Sequence, residues 1–139
     1  MYRKTAIALL GAIVIALAGT AAAVAAGSGP AVTVKIRTLT KTLRTAVVHG
    51  QTGWITKGGT PTGTCSRNSG AGALAAATHG KWAGHYYASL KDIFVTSVLG
   101  VKPKSPDYWG VFVNGKSSSV GLCHVKLRAH ETILLKIVK

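Results

Sequence analysis

Apolar and polar residues alternate in several stretches of the chain, a pattern typical of β-strands that have one face in water. The alternation is clearest in 32–37, where Val32, Val34 and Ile36 are separated by polar residues. The sequence predicts about six strands, at 32–37, 42–48, 92–98, 108–113, 125–127 and 133–138. Less regular extended segments are expected at 54–56 and 81–87, and Asn114-Gly115 is a strong hairpin-turn signal.

A single helix is predicted over 71–79, in the middle of the chain. Ser69 can cap its N-terminus, its alanines favour helix, and Gly80 follows where a left-handed residue is wanted. The helix is too short to be stable alone, so it must pack on a sheet. The order strands, helix, strands therefore predicts an α+β fold with one mixed sheet against one short helix.

The N-terminal segment resembles a secretory signal peptide. Arg3 and Lys4 precede an uncharged stretch, and small residues near Ala25 and Ala26 suit cleavage. We expect residues 1–26 to be removed, residues 27–31 to form a Gly/Ser/Pro spacer and residues 32–139 to form one domain. The alternative is an uncleaved membrane anchor with the domain outside the cell, since the uncharged stretch is long enough to span a bilayer.

The chain is strongly basic, and it has few carboxylates. Its 139 residues carry 17 Lys and Arg against three acidic residues, a net charge of +14. Asp92, Asp107 and Glu131 are too few for a carboxylate-rich calcium site, and they leave few candidates for two-carboxylate glycoside hydrolysis.

Two cysteines, Cys65 and Cys123, follow the export segment. In an oxidising compartment, an even pair is more often bridged than free, so a disulfide is expected. The alternative is a metal site that uses both thiolates and His124. No Cys-x-x-Cys spacing supports it.

The cations are spread along the chain with no run longer than two. Lys35, Arg37 and Lys41 are expected to point outward from the first strands. An exported domain of this charge would be drawn to anionic wall polymers, extracellular DNA or acidic lipid surfaces. Alternatively, the charge only keeps the protein soluble. No specific nucleic-acid motif is present.

Catalytic and metal-binding patterns are weak. Residues 110–117 match the letters of a phosphate-binding P-loop, but their β-branched interior and the lack of a following helix argue against that site. The five histidines lack the spacing of metal ligands. They are His49, His79, His85, His124 and His130. We expect no metal, no cofactor and no enzymatic activity.

Aromatic residues gather after the helix and in a later strand. Trp82, Tyr86 and Tyr87 could form a platform for a sugar or a planar ligand, and His85 and Lys81 among them would favour an anionic one. Tyr108 and Trp109 belong to the same aromatic set. The alternative is that these rings pack the core and the sheet.

Three stretches of the mature chain resemble a known family. They are TCSRNSGAGALAAATHGKWAG, KDIFVTSVLG and YWGVFVNGKSSSVGLCHVKLRAHETILLKI. The chain is similar to bacterial secreted domains that resemble the C-terminal domain of transcobalamin, most specifically at Tyr108-Trp109, at Val113-Asn114-Gly115 and at Gly121-Leu122-Cys123. The resemblance implies a β-grasp-like fold and agrees with the disulfide. The family's usual Gly-Asp-Glu before the last strand is replaced by Ala129-His130-Glu131.

The resemblance also implies a binding module. In cobalamin carriers, the similar domain covers a corrinoid that is held mainly by a separate helical domain, for which this chain has no room. Cobalamin binding by this chain alone is therefore not expected. The sequence predicts a secreted, monomeric, non-catalytic module for an unknown small molecule or an anionic envelope polymer. The candidate ligand-binding residues are Trp82, His85, Tyr86, Tyr87, Tyr108, Trp109 and Asn114. The alternatives are a cationic protein that binds anionic surfaces by charge alone and, less favoured, a small secreted hydrolase.

Overall fold

The computed structural model describes residues 27–58 and 63–139. The predicted signal segment, residues 1–26, lies outside the described residues. The described part of the chain forms nine strands and one helix. They are β1 (Ala31–Arg37), β2 (Thr42–His49), β3 (Trp54–Lys57), β4 (Gly63–Ser66), α1 (Gly70–Thr78), β5 (Trp82–Tyr87), β6 (Asp92–Val98), β7 (Tyr108–Val113), β8 (Lys116–Ser117) and β9 (Thr132–Val138).

Five of the strands form one mixed sheet in the order β2-β1-β9-β7-β8. The first and last strands along the chain, β1 and β9, are neighbours in this sheet and run parallel. The other strand pairs of the sheet are antiparallel. The predicted alternation of apolar and polar residues in β1 determines which face of the sheet covers the core. Val34 and Ile36 pair with Ile133 and Leu135, and all four side chains are buried on the face that covers the core. The opposite face carries both polar and apolar residues.

Helix α1 packs on the core face of this sheet. Ser69 is its N-cap, and the Ser69 hydroxyl accepts a hydrogen bond from the Gly72 N–H. The N–H groups of Gly70 and Ala71 donate to the carbonyls of Val125 and Leu122, so a distant loop satisfies the start of the helix. The helix ends at Thr78, and its C-cap, His79, adopts a left-handed conformation with φ of 51°.

Two antiparallel ribbons, β3–β4 and β5–β6, complete the structure around the helix. They meet where the ring of Tyr86 lies directly over Gly63, so that a side chain at position 63 would overlap the ring. Ile55 in β3 and Cys65 in β4 are buried, as are Ile93 and Val95 in β6. Both ribbons therefore belong to the same core as the sheet.

The predicted fold class, a mixed sheet against one short helix with one disulfide, is confirmed. The disulfide joins Cys65 in β4 to Cys123, with a Cα–Cα distance of 5.1 Å. The strand predicted at 125–127 is wrong. Lys126 makes only an isolated bridge to Ser69, because the main chain there serves the start of α1. Among residues 27–58 and 63–139, no helix is long and apolar enough to cross a membrane.

Candidate cationic groove

A groove of about 700 Å³ runs along the outer edge of β2. Strand β3 and the C-terminal half of α1 form its other sides. Its lining residues are Gly27, Val47, Val48, His49, Gln51, Trp54, Ile55, Thr56, Lys57, Arg67, Ala75, Ala76, His79 and Gly80. The volume falls within the range of roughly 300 to 1,000 Å³ that is usual for small-molecule sites.

Small helix residues and two exposed apolar side chains give the groove its shape. Ala75 and Ala76 are the helix residues in the lining, and their short side chains leave space above α1. Val47 is 67% exposed and Trp54 is 69% exposed. Both residues are in the lining, so the groove has apolar surface as well as polar groups.

Positive charge lines the groove with nothing to balance it. The cations of the lining are Lys57 and Arg67, and the lining also includes the imidazoles of His49 and His79. Arg44 extends this charge, because its Nη2 lies 3.3 Å from Nε2 of His79. Arginine can only donate, so Nε2 of His79 accepts. No carboxylate is found among the described residues of the lining, and the groove is therefore an electropositive, partly apolar site that favours anions.

Lys57 also has a structural contact. Its ammonium group donates a hydrogen bond of 3.1 Å to the carbonyl of Gly80, just beyond the end of α1. The same Nζ lies 5.4 Å from the centre of the Trp82 ring. Lys57 thus ties β3 to the C-terminal end of the helix. Arg67 has no side-chain hydrogen bond to any described residue, which leaves its guanidinium available to a ligand.

The predicted aromatic platform is divided between two environments. Trp82 and Trp109 are buried, with 5% and 3% exposure, and neither indole N–H has a partner among the described residues. Tyr86 is half-buried against Gly63. These three rings pack in or against the core. Only Tyr87 of the predicted platform is exposed, on the other side of β5.

The remaining predicted aromatic residues gather on the outer side of the β5–β6 ribbon. The rings of His85 and Tyr87 meet edge to face at 4.7 Å, and Phe94 lies opposite His85 across the ribbon. Phe94 and Tyr108 line a second groove, of about 540 Å³. His85 and Tyr87 therefore contact each other, and Tyr108 shares a groove with Phe94, a residue outside the predicted site.

Asn114 lies in the β7–β8 turn. Its φ of 49° is the left-handed value that the turn requires, and its Oδ1 accepts a hydrogen bond of 2.9 Å from the N–H of Thr132. The side chain therefore joins the turn to the start of β9. This contact gives Asn114 a structural role.

The described residues contain no group of three or more His, Cys, Asp or Glu side chains that could hold a metal. The alternative of a metal site at both cysteines and His124 is wrong, because the sulfurs are joined to each other. His124 instead lies with its Nδ1 2.8 Å from Oδ2 of Asp92. The wider expectation that the protein uses no metal stays a prediction.

Sequence reasoning missed the residues that line the cationic groove. The sequence predicts only a short extended segment at Trp54, and no pattern in it pairs Arg67 with His79. The position of Trp54 beside a Gly-rich loop is the sequence signal that indicates a surface role. The convergence of Arg67 and His79 depends on how the β3–β4 ribbon meets the helix, which no local pattern encodes.

Comparisons with known proteins indicate the fold. Residues 71–139, just under half of the chain, match the family described as a domain of unknown function, DUF4430. No curated protein sequence matches the chain. The structure is similar to that of a candidate metal-binding protein from Ruminococcus gnavus ATCC 29149, with a TM-score of 0.56 and 11% identity. The match covers 79% of this chain and 97% of that one.

The structure is also similar to haptocorrin, solved in complex with Cbi, with a TM-score of 0.52 and 12% identity. That match covers 79% of this chain but only 25% of haptocorrin, so this chain spans about a quarter of the length of that protein. The likeness supports the resemblance to transcobalamin-type domains at the level of the fold. At such low identity, neither match transfers a ligand.

Proposed function

We propose that this protein is an exported, non-catalytic binding module that holds an anionic, partly apolar ligand in the groove between β2, β3 and α1. One observation carries the proposal: the same groove contains cations with no carboxylate beside them and exposed apolar residues. Lys57 and Arg67 supply permanent charge there, and Trp54 supplies a large apolar surface. A ligand with both an anionic group and an apolar group would use both.

A binding role is favoured over catalysis because the described lining of neither groove places a serine or cysteine beside a histidine. A serine or cysteine hydrolase would need that nucleophile beside a histidine. The cationic groove contains two histidines but neither nucleophile among its described lining residues, and the groove at Tyr108 contains Ser105 but no histidine. Neither place assembles a nucleophile with its base.

Export is supported by the disulfide and by the N-terminal segment. A disulfide such as Cys65–Cys123 persists in oxidising compartments and is rare in the cytosol. The uncharged segment that follows Arg3 and Lys4 is typical of a secretory signal. Cobalamin is not our proposed ligand, because the match to haptocorrin has only 12% identity and supports the fold alone.

A second candidate function is electrostatic binding of an anionic polymer across the outer face of the five-stranded sheet. Arg37 and Lys136 are direct neighbours on that face, in the parallel β1–β9 register. Lys35 precedes Arg37 on the same face, and Nζ of Lys136 lies 4.4 Å from the centre of the Phe112 ring. Like charges side by side are unfavourable unless anions or water screen them. An anionic polymer would relieve that repulsion.

The test is an equilibrium titration of the purified, oxidised protein with naphthalene trisulfonate, a probe that is both anionic and aromatic. We expect saturable binding that Arg67→Glu weakens at least about tenfold, because the change removes one charge-assisted contact and places a negative charge beside the anionic probe. Arg128→Glu makes the same change of charge at an exposed residue outside the groove lining and should have little effect. If both variants lost the same affinity for the probe, binding would depend on net charge alone, which would contradict binding in the groove.

A further inference from the structure

We infer that the natural ligand of the groove is an acidic peptide, bound in extended form as an added strand on the free edge of β2. The inference rests on the proposed function and specifies the ligand class. It depends on main-chain hydrogen-bonding groups, which the proposed function does not require. Strand addition is a common mode of peptide recognition, in which main-chain bonds give affinity and alternate side chains give specificity.

The first observation is the length of this edge. Strand β2 has eight residues, Thr42–His49, and among the described strands it pairs with β1 alone. The other edge of the same sheet, β8, has only two residues, Lys116–Ser117. Short edge strands and lysines are devices that keep other strands from pairing. β8 has both, whereas β2 is long and contains no proline.

The second observation is which main-chain groups face outward. The N–H of Gly50 donates to the carbonyl of Pro30, so these two residues form a hydrogen-bonded pair that continues the β1–β2 ladder. Hydrogen-bonded pairs alternate in an antiparallel ladder. The main chain of Ala46 and Val48 therefore bonds to β1, whereas that of Thr45 and Val47 points to the free edge.

The third observation is the chemistry of the two sides of that edge. Arg44 shares the helix side of β2 with Ala46 and Val48, and it contacts His79 there. Val47 lies on the opposite side with Thr45. Side chains of an added strand would alternate between these two sides. Acidic residues suit the side with Arg44 and His79, and apolar residues suit the side with Val47. The expected ligand pattern is alternating acidic and apolar.

The test uses an acetylated and amidated peptide of four Glu-Val repeats, with a Lys-Val peptide as its charge control. At saturation, hydrogen exchange of the Thr45 and Val47 amides should slow at least about tenfold, because these donors gain partners. The amides of Ala46 and Val48 should change little, since they already bond to β1. The Lys-Val peptide should bind at least about tenfold more weakly.

Backbone methylation separates strand addition from charge. One Glu-Val peptide is N-methylated at every glutamate and a second at every valine. Only one of the two patterns removes the donors that face β2, because successive residues of a strand direct these groups to opposite edges. We expect one methylated peptide to lose at least about tenfold in affinity and the other to keep most of it.

A protein variant tests the same edge from the other side. Val47→Pro removes one outward donor without breaking a β1–β2 hydrogen bond, a position where edge strands accept proline. Val47→Thr keeps the donor and is the matched control. Weaker peptide binding by Val47→Pro alone supports the inference. If the variant does not fold, the methylated peptides still decide.

The outcomes distinguish this inference from the proposed function. If naphthalene trisulfonate binds and Arg67→Glu weakens it, but both methylated peptides bind as well as the parent, strand addition is overturned and the anion groove stands. The same holds if the trisulfonate binds in the groove and the Glu-Val peptide does not. If neither the trisulfonate nor the Glu-Val peptide binds, both proposals are overturned.

Discussion

The side chain of Asp92 accepts a hydrogen bond of 3.0 Å from the main-chain N–H of Cys123, from a separation of 31 residues. The same Oδ1 accepts from the N–H of Ile93 at 2.8 Å, and Oδ2 lies 2.8 Å from Nδ1 of His124. One buried carboxylate therefore fixes the loop that carries the disulfide. Because Leu122 in that loop accepts from the start of α1, the carboxylate also helps to place the helix.

We predict that Asp92→Ala lowers the free energy of unfolding by about 2 kcal/mol, because it leaves the N–H groups of Ile93 and Cys123 without an acceptor. Asp92→Asn is the matched control. Its amide oxygen can still accept from both, so we expect a smaller loss. Urea denaturation of the two variants measures the difference. Equal losses would contradict the role of the accepted hydrogen bonds.

The disulfide should contribute much of the stability of this small domain. It joins residues that are 58 positions apart, and the chain-entropy relation gives about 4 kcal/mol for a loop of this length. We expect Cys65→Ala/Cys123→Ala to lose a stabilisation of this order in urea denaturation. Reductant should destabilise the wild type similarly and leave the double variant unchanged. A denaturation midpoint that does not move on reduction would show that the bridge contributes little.

Trp54 should report on the groove, because it is the one strongly exposed tryptophan of the three. Trp82 and Trp109 are buried. We predict that acrylamide quenches one emitting population strongly and that Trp54→Phe removes that population. Naphthalene trisulfonate should change the emission of the wild type and not of Trp54→Phe. A response that persists in the variant would place the probe elsewhere.

Much of the fold follows from local patterns in the sequence. The alternation at Val32, Val34 and Ile36 predicts β1 and its buried face, and Ser69 marks the helix start to within one residue. The predicted strand at 125–127 failed because the carbonyl of Val125 bonds to the helix N-terminus. Alternation predicts which face is buried, but it does not identify the hydrogen-bond partner.

The site was less predictable than the fold. The clustering of aromatic residues predicts a ligand platform, but Trp82 and Trp109 are in the core. A sequence cannot show which aromatic rings a core will require. The groove combines Arg67 after β4 with His79 at the end of α1 and Val47 in β2. These residues meet only through tertiary packing. The sequence therefore predicted an anionic partner from its charge, and the place of binding required the structure.

The most direct test of the cationic groove is a chemical-shift map of the ¹⁵N-labelled, oxidised protein titrated with naphthalene trisulfonate. We predict that the largest changes fall on Val47, Trp54, Ala76 and His79, and that those on Lys35 and Lys136 are small. The reverse pattern, with changes spread over the outer sheet face and lost at moderate salt, would contradict the groove and favour binding by surface charge alone.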